Sequence, residues 1–125
     1  MGRLELQFLD TRLLLERLAG RLAHDSERRT EFRTGRLNVF ELVHLLLKAG
    51  KKAVAKQAYD DLADFTEELT ESRIFGAARL RIIHAGLSYA DAAAYVTARE
   101  LGAVLVTSEE NLARLPGVRR VQLPL

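Results

Sequence analysis

One stretch decides the fold of this chain: LSYADAAAYVTARELGAVLVTSE, residues 87–109. The segment from Asp91 to Leu101 is expected to be helical, and Gly102, directly after it, is the residue type that most often ends a helix. Ala103 to Val106 is a continuous apolar run, typical of a strand that is buried on both faces. A helix that leads directly into a buried strand indicates an α/β domain with a mainly parallel sheet.

The same alternation of strands and helices continues outward in both directions. Further strands are predicted at Leu4–Leu9, Gly35–Leu37, Arg73–Phe75 and Val118–Leu123. Further helices are predicted along the Leu14, Leu18 and Leu22 stripe, at Val39–Ala49, from Val54 to about Leu69, at Gly76–Ala85 and in a short segment ending at Leu115. This order predicts one domain over residues 1–125, a three-layer α/β/α sandwich around a mostly parallel sheet of four or five strands.

Composition excludes several classes of protein. The chain has 125 residues, of which 48% are apolar, as in ordinary globular domains. It has no cysteine, which excludes disulfides, thiolate metal sites and a cysteine nucleophile. No apolar run approaches the ~20 residues of a membrane-spanning helix, and no signal peptide is recognisable, so we expect a soluble, cytoplasmic protein. The net charge of +2 is too small to indicate a nucleic-acid partner by itself.

Acidic residues occur where predicted strands end and helices begin. They are Asp10, Glu41, Asp91 and Glu109. The carboxyl ends of parallel strands meet at one edge of a sheet, so Asp10, Glu41 and Asp91 are expected to converge in one pocket with Glu109 at its rim. Clustered carboxylates repel each other, and a bound divalent cation relieves that repulsion. Ligation by oxygen alone predicts Mg²⁺ or Mn²⁺.

Helix capping is the alternative explanation for the same acids. Asn38-x-x-Glu41, Ser88-x-x-Asp91 and Thr107-x-x-Glu110 all fit a capping box or a close relative of it. Asp10 fits a simple N-cap. Capping does not account for Glu109, and four acids at four strand–helix junctions are more than capping requires.

Three motifs resemble the PIN-domain family. In residues 87–109 an acid followed by small residues opens a helix, and the run from Ala98 to Gly102 leads into a buried strand that ends in Thr-x-acid. Phe8-Leu9-Asp10-Thr11 resembles the first strand and acid of that family, and Asn38-Val39-Phe40-Glu41-Leu42 resembles its second acidic motif. The resemblance covers nearly the whole chain in the order of the family.

The resemblance implies a metal-dependent ribonuclease that hydrolyses RNA phosphodiester bonds. Many small members are VapC toxins of toxin–antitoxin pairs and commonly dimerise, so an antitoxin and a homodimer are expected. Carried over by position, the catalytic and metal-binding acids are Asp10, Glu41, Asp91 and Glu109. Thr107 is the supporting hydroxyl, and Glu110 is the acid that would share the role of Glu109.

Two departures from the family pattern leave a second function open. The fourth acid is usually Asp but is Glu109 here, and Arg12 stands where the family has a small polar residue. Arg12 would either pair with Asp10 or contact RNA phosphate. RNA phosphate would also be contacted by the nearby arginines Arg28, Arg29, Arg33 and Arg36. The alternative is a non-catalytic binding or regulatory module with the same fold and a degenerate acidic site.

Overall fold

Strands and helices alternate along the chain in a computed structural model that describes residues 5–20 and 30–123. The strands are β1 (Glu5–Leu9), β2 (Thr30–Gly35), β3 (Thr66–Glu67), β4 (Val104–Thr107) and β5 (Val118–Arg120). The helices are α1 (Thr11–Leu18), α2 (Arg36–Lys48), α3 (Lys52–Leu62), α4 (Glu71–Ile83), α5 (Tyr89–Leu101) and α6 (Glu110–Ala113), with a short 3-10 helix at Ala63–Phe65. None of the helices in the described ranges has the length and apolar character needed to cross a bilayer.

The five strands form one sheet in the order β3-β2-β1-β4-β5, and every neighbouring pair is parallel. All carboxyl ends of the strands therefore lie at the same edge. After β1, the next two strands in the sequence, β2 and β3, lie on one side of β1 in the sheet. The last two strands, β4 and β5, lie on the other side. The strand order thus reverses between β1 and β4, where ligand sites form in open α/β sheets.

Alternating side chains of the two central strands enter two separate cores. Phe8 of β1 and Leu105 of β4 pack with α5, α6 and the loops beside them. Leu9 and Val106, the next residue along each strand, pack with α1, α2 and α3 on the opposite face. A smaller cluster joins α4 to the outside of α5 through Ala77. The predicted α/β/α sandwich is confirmed, with five parallel strands within residues 5–20 and 30–123.

Two predicted strands were wrong, because the first was placed where β2 ends and the second is a short segment inside a helix that resembles a strand. Gly35 ends β2 and precedes α2, so Gly35–Leu37 is not a strand. Arg73–Phe75 lies inside α4, where Thr70 caps the helix by accepting a hydrogen bond from the amide of Arg73. The third strand is β3, in the segment that was predicted to extend a helix to about Leu69; that helix ends at Leu62.

Candidate active site

The four predicted acids line a single pocket of about 410 Å³ at the carboxyl edge of the sheet. Asp10 follows β1 and is the N-cap of α1, while Glu41 lies in the second turn of α2. Asp91 lies in the first turn of α5, and Glu109 joins β4 to α6. Residues that are far apart in the sequence come together here because the parallel strands all end at this edge.

Asp10 is the most buried of the four acids, with 2% of its surface exposed. Its Oδ1 accepts a hydrogen bond of 3.0 Å from the amide of Leu13, and its Oδ2 accepts one from the hydroxyl of Thr107. The same Thr107 hydroxyl accepts a hydrogen bond of 2.9 Å from the amide of Glu109. Thr107 therefore connects the ends of β1 and β4 and fixes the orientation of the Asp10 carboxylate.

Glu41 is oriented by two residues whose role the sequence did not reveal. Thr11 donates a hydrogen bond of 2.6 Å to Oε1 of Glu41, and Asn38 donates one of 3.2 Å to the Thr11 hydroxyl. The capping alternative placed Asn38 at the start of the helix, but Gly35 occupies that position and Asn38 is buried inside α2. The sequence did contain a signal for the burial of Asn38. It lies four residues before Leu42, and residues with this spacing share one face of a helix, here the buried face.

Asp91 is positioned by the cap of its own helix. Ser88 is the N-cap of α5 and accepts a hydrogen bond of 3.0 Å from the amide of Asp91. Capping and convergence on the pocket are therefore compatible, since the cap sets the direction in which the Asp91 side chain leaves the helix.

Burial and mutual repulsion make the four acids one electrostatic group. The pKa of Asp91 is raised to about 6, first by burial and then by the charges of Asp10, Glu109 and Glu41, against a hydrogen bond from Ser88. The pKa of Asp10 is also raised, mainly by burial, although its hydrogen bonds oppose the effect. Part of the carboxylate charge is therefore unfavourable in the absence of a cation.

The remaining predicted residues lie at the rim of the pocket or away from it. Arg12 lines the pocket, but its Nε lies 3.8 Å from Glu16, and its side chain is 60% exposed. Glu110 is outside the residues that line the pocket and pairs with Arg114 at 3.5 Å. A second acid beside Glu109 is therefore not brought to the site.

Among the other four arginines that were predicted to bind RNA, the two that the structure describes are paired with acids that follow β2 in the sequence. Arg33 lies 3.5 Å from Glu67 and donates a hydrogen bond to the carbonyl of Asp64. Arg36 pairs with Glu68. The other two, Arg28 and Arg29, lie outside the described residues.

The chemistry of the pocket suits a hard divalent cation. Its four acids supply oxygen donors and negative charge, which is what Mg²⁺ and Mn²⁺ prefer. Across residues 5–20 and 30–123, however, no three acidic or histidine side chains already stand together as a set of metal ligands. Both oxygens of Asp10 and one oxygen of Glu41 accept a hydrogen bond, and each of these oxygens keeps a second lone pair that can bind a cation.

Together, the fold and the pocket define a class of protein: a parallel α/β/α domain with acids gathered where the strand order reverses. The model of the PIN domain family matches residues 7–118. The chain belongs to the PIN domain family.

Solved structures with the same fold cover nearly the whole chain. PAE2754 from Pyrobaculum aerophilum is 20% identical with a TM-score of 0.70, covering 95% of this chain and 92% of its own. VapC20 from Mycobacterium tuberculosis, a toxin that cleaves the sarcin-ricin loop, is 18% identical with a TM-score of 0.70, covering 93% and 99%. VapBC2 from Rickettsia felis, solved with a DNA fragment from its promoter, is 16% identical with a TM-score of 0.68, covering 93% and 97%. No curated protein matches the sequence.

Proposed function

We propose that this protein is a metal-dependent ribonuclease that hydrolyses RNA phosphodiester bonds and acts in the cytoplasm as the toxin of a toxin–antitoxin pair. The observation that carries the proposal is the convergence of Asp10, Glu41, Asp91 and Glu109 on one pocket in a PIN domain. The raised pKa values of Asp10 and Asp91 support it, because perturbed acids in a cleft are typical of functional sites.

The acids of this pocket would hold Mg²⁺ or Mn²⁺, and the ion would activate water and stabilise the negative charge that develops on the phosphate. Thr107 keeps the Asp10 carboxylate aimed at the pocket through its hydrogen bond. Thr11 does the same for Glu41. Asp91, with its pKa near 6, is largely ionised at neutral pH and can accept a proton or a cation there. No side chain has to act as a nucleophile.

The decisive experiment is a cleavage assay on a mixture of single-stranded RNAs, with and without Mn²⁺ or Mg²⁺. Wild type is expected to cleave only with metal, and Asp91→Asn is expected to be inactive although it folds. Arg12→Ser belongs in the same assay, because Arg12 lines the pocket in place of a small polar residue. If neither wild type nor Arg12→Ser cleaves RNA with any metal, the nuclease proposal is wrong.

A second candidate is a non-catalytic binding or regulatory module with a degenerate acidic site. It is favoured by Glu109 in place of Asp and by the missing set of ready-made ligands among the described residues. Thermal unfolding with Mn²⁺ separates the two candidates. A metal site gains about 2.7 kcal/mol when free Mn²⁺ is 100 times its Kd, whereas carboxylates that serve only as caps gain nothing.

Two protein partners are part of the proposal. A groove of about 670 Å³ between α2, α4 and α5 exposes Phe40, Ile74 and Ile82, and it shares Glu41 with the acidic pocket. An antitoxin segment that lies in this groove could place an arginine among the acids. Toxin–antitoxin complexes among the proteins of the same fold support this partner.

The proposed homodimer uses a different surface. Leu45 and Leu47 of α2 and Val54 and Tyr59 of α3 remain 40–50% exposed. Exposed apolar side chains on two adjacent helices are typical of subunit interfaces. Light scattering at micromolar protein tests the homodimer. A protein that is a monomer without antitoxin would contradict the proposed homodimer but would leave the proposed antitoxin partner untouched.

A further inference from the structure

A second cleft of about 270 Å³ adjoins the acidic pocket and carries the opposite charge. It is lined by Arg12, Ser108, Arg120, Val121, Gln122 and Leu123, among which there is no acid. Arg12 lines both this cleft and the acidic pocket, so the two are neighbours. A cationic cleft beside a cluster of carboxylates would hold an anionic chain whose reacting group lies at the carboxylates.

The sheet holds this cleft in a fixed position relative to the acids. Arg120 of β5 pairs in register with Thr107 of β4, so their Cα atoms are about one strand spacing, roughly 4.8 Å, apart. The amide of Val121 donates a hydrogen bond of 2.8 Å to the Thr107 carbonyl and extends that pairing. Thr107 in turn donates its hydroxyl hydrogen bond to Asp10. The strand pairing and this hydrogen bond together fix the position of Arg120 relative to the acidic pocket.

Arg120 differs from the other arginines of its neighbourhood in its ion pairs. Arg119 donates hydrogen bonds of 2.8 and 2.7 Å to both oxygens of Glu5, and Arg114 pairs with Glu110. Within the described part of the chain, Arg120 is exposed and forms no ion pair. Arg12 has only a long contact with Glu16 and is mostly exposed. Both guanidinium groups of the cleft can therefore turn toward an added anion.

We propose that Arg12 and Arg120, with the hydroxyl of Ser108, bind the backbone phosphate of the nucleotide next to the scissile one. The inference rests on the proposed ribonuclease function and extends it to a second phosphate position. Guanidinium groups bind phosphate by paired charge-assisted hydrogen bonds. Because the cleft is small and polar, it selects for the backbone and not for a particular base.

The test measures binding of a labelled single-stranded RNA to the Asp91→Asn protein, in which cleavage is removed. Arg120→Gln and Arg12→Gln are each expected to weaken binding about fivefold, the value of an exposed ion pair of about 1 kcal/mol. The double variant is expected to reduce the slope of log affinity against log salt by about 0.7, as for one phosphate contact on a single strand, and each single variant is expected to reduce it by less. The matched control is Arg119→Gln, which removes the same charge from the same strand on the opposite face and leaves RNA affinity unchanged.

The double variant adds a geometric criterion. If Arg12 and Arg120 hold the same phosphate, the double variant loses less affinity than the sum of the two single losses. An acidic peptide with the same net charge as the RNA is measured in parallel. Equal sensitivity of peptide and RNA binding to Arg120→Gln would mean that the cleft binds a protein carboxylate, which overturns the RNA assignment.

The outcomes separate this inference from the proposed function. If the protein with Asp91 intact cleaves RNA but Arg120→Gln changes neither affinity nor salt slope, the cleft assignment is wrong and the nuclease stands. If the intact protein does not cleave but RNA binding falls on Arg120→Gln, the cleft binds RNA phosphate, whereas the nuclease function and the position of the cleft beside a scissile phosphate are both wrong. If RNA is neither bound nor cleaved, both are wrong.

Discussion

Asp91→Asn is expected to make the metal-free protein more stable while it abolishes metal binding. Asp91 lies in a pocket with three other acids, and its carboxylate is disfavoured by burial and by their charges. Asn has nearly the same shape and leaves the backbone amide of residue 91 free to donate to Ser88. The substitution therefore removes a repelling charge without removing the helix cap.

The magnitude follows from the pKa of Asp91. It is raised from its ordinary value of 3.8 to about 6, a difference that corresponds to about 3 kcal/mol at full strength. Because the carboxyl is only partly buried, solvent screening reduces the gain to about 1–2 kcal/mol. For a chain of this length that is a rise in Tm of roughly 3–10 °C.

The sign of the pH dependence is fixed by the same raised pKa. Between pH 4 and 6 the folded protein retains a proton on Asp91 that the unfolded chain has lost, so wild-type stability falls as the pH rises through this range. At pH 4 the Asp91 carboxyl of folded wild type is neutral, as the Asn amide is at every pH, and the advantage of Asp91→Asn should be small. Above pH 6 the advantage should reach its full value and stay constant.

The assay is urea unfolding in EDTA at pH 4, 5, 6 and 7.5, with Asp64→Asn as the control for a charge change on an exposed acid outside the pocket. The control should show no pH-dependent gain. An Asp91→Asn protein that is less stable than wild type at pH 7.5, or whose advantage does not change with pH, would refute the electrostatic coupling of the four acids. In the same assay without EDTA, Mn²⁺ is expected to stabilise wild type and to leave the stability of Asp91→Asn unchanged.

Three other substitutions test what holds the site and the sheet. Thr107→Val leaves a buried oxygen of Asp10 without its donor, so urea unfolding should show a loss of about 1–3 kcal/mol and cleavage should slow. Arg73→Met removes a nearly buried guanidinium that pairs with Glu100. The free energy of unfolding in urea should fall by about 1–3 kcal/mol, while cleavage by the folded protein is unchanged. A selective loss of cleavage would contradict a purely structural role. Gly35→Ala places a Cβ 2.9 Å from Oδ1 of Asn38, so a loss of about 1–3 kcal/mol is expected, and an unchanged Tm would show that Asn38 can move.

The sequence predicted the centre of the fold better than its periphery. Around β4 the buried strand, the preceding helix and Gly102 all indicated the same structure, and Gly102 indeed ends α5 with a φ of 70°. At β3 only two residues pair with β2, too few for any pattern of alternation to appear. The strand predicted at Arg73–Phe75 failed because an isoleucine and a phenylalanine suit either element, while the cap at Thr70 decides for the helix.

The acids and the supporting hydroxyl of Thr107 were expected from the sequence, but Thr11 and Asn38, which orient Glu41, and the exact pairing of these groups were not. An acid after a strand and before a helix has a predictable place in a parallel sheet. The hydrogen bonds from Thr11 to Glu41 and from Thr107 to Asp10 join segments that lie 30 and 97 residues apart, and no local pattern encodes such pairs. Arg120 was missed for a related reason, since only the register of β5 against β4 places it beside the pocket.

The connection between the site and the sheet has a consequence for how metal would stabilise the protein. Asp10 and Glu109 come from β1 and β4, the two strands at the point where the strand order reverses, and Thr107 joins them. The acids therefore converge only when these strands are paired, so an unfolded chain offers separate carboxylates with weak affinity for a cation. Any cation bound at the pocket would stabilise the whole domain and not one local segment. The repulsion around Asp91 makes the fold less stable without a cation, and a bound cation would relieve it in the same step.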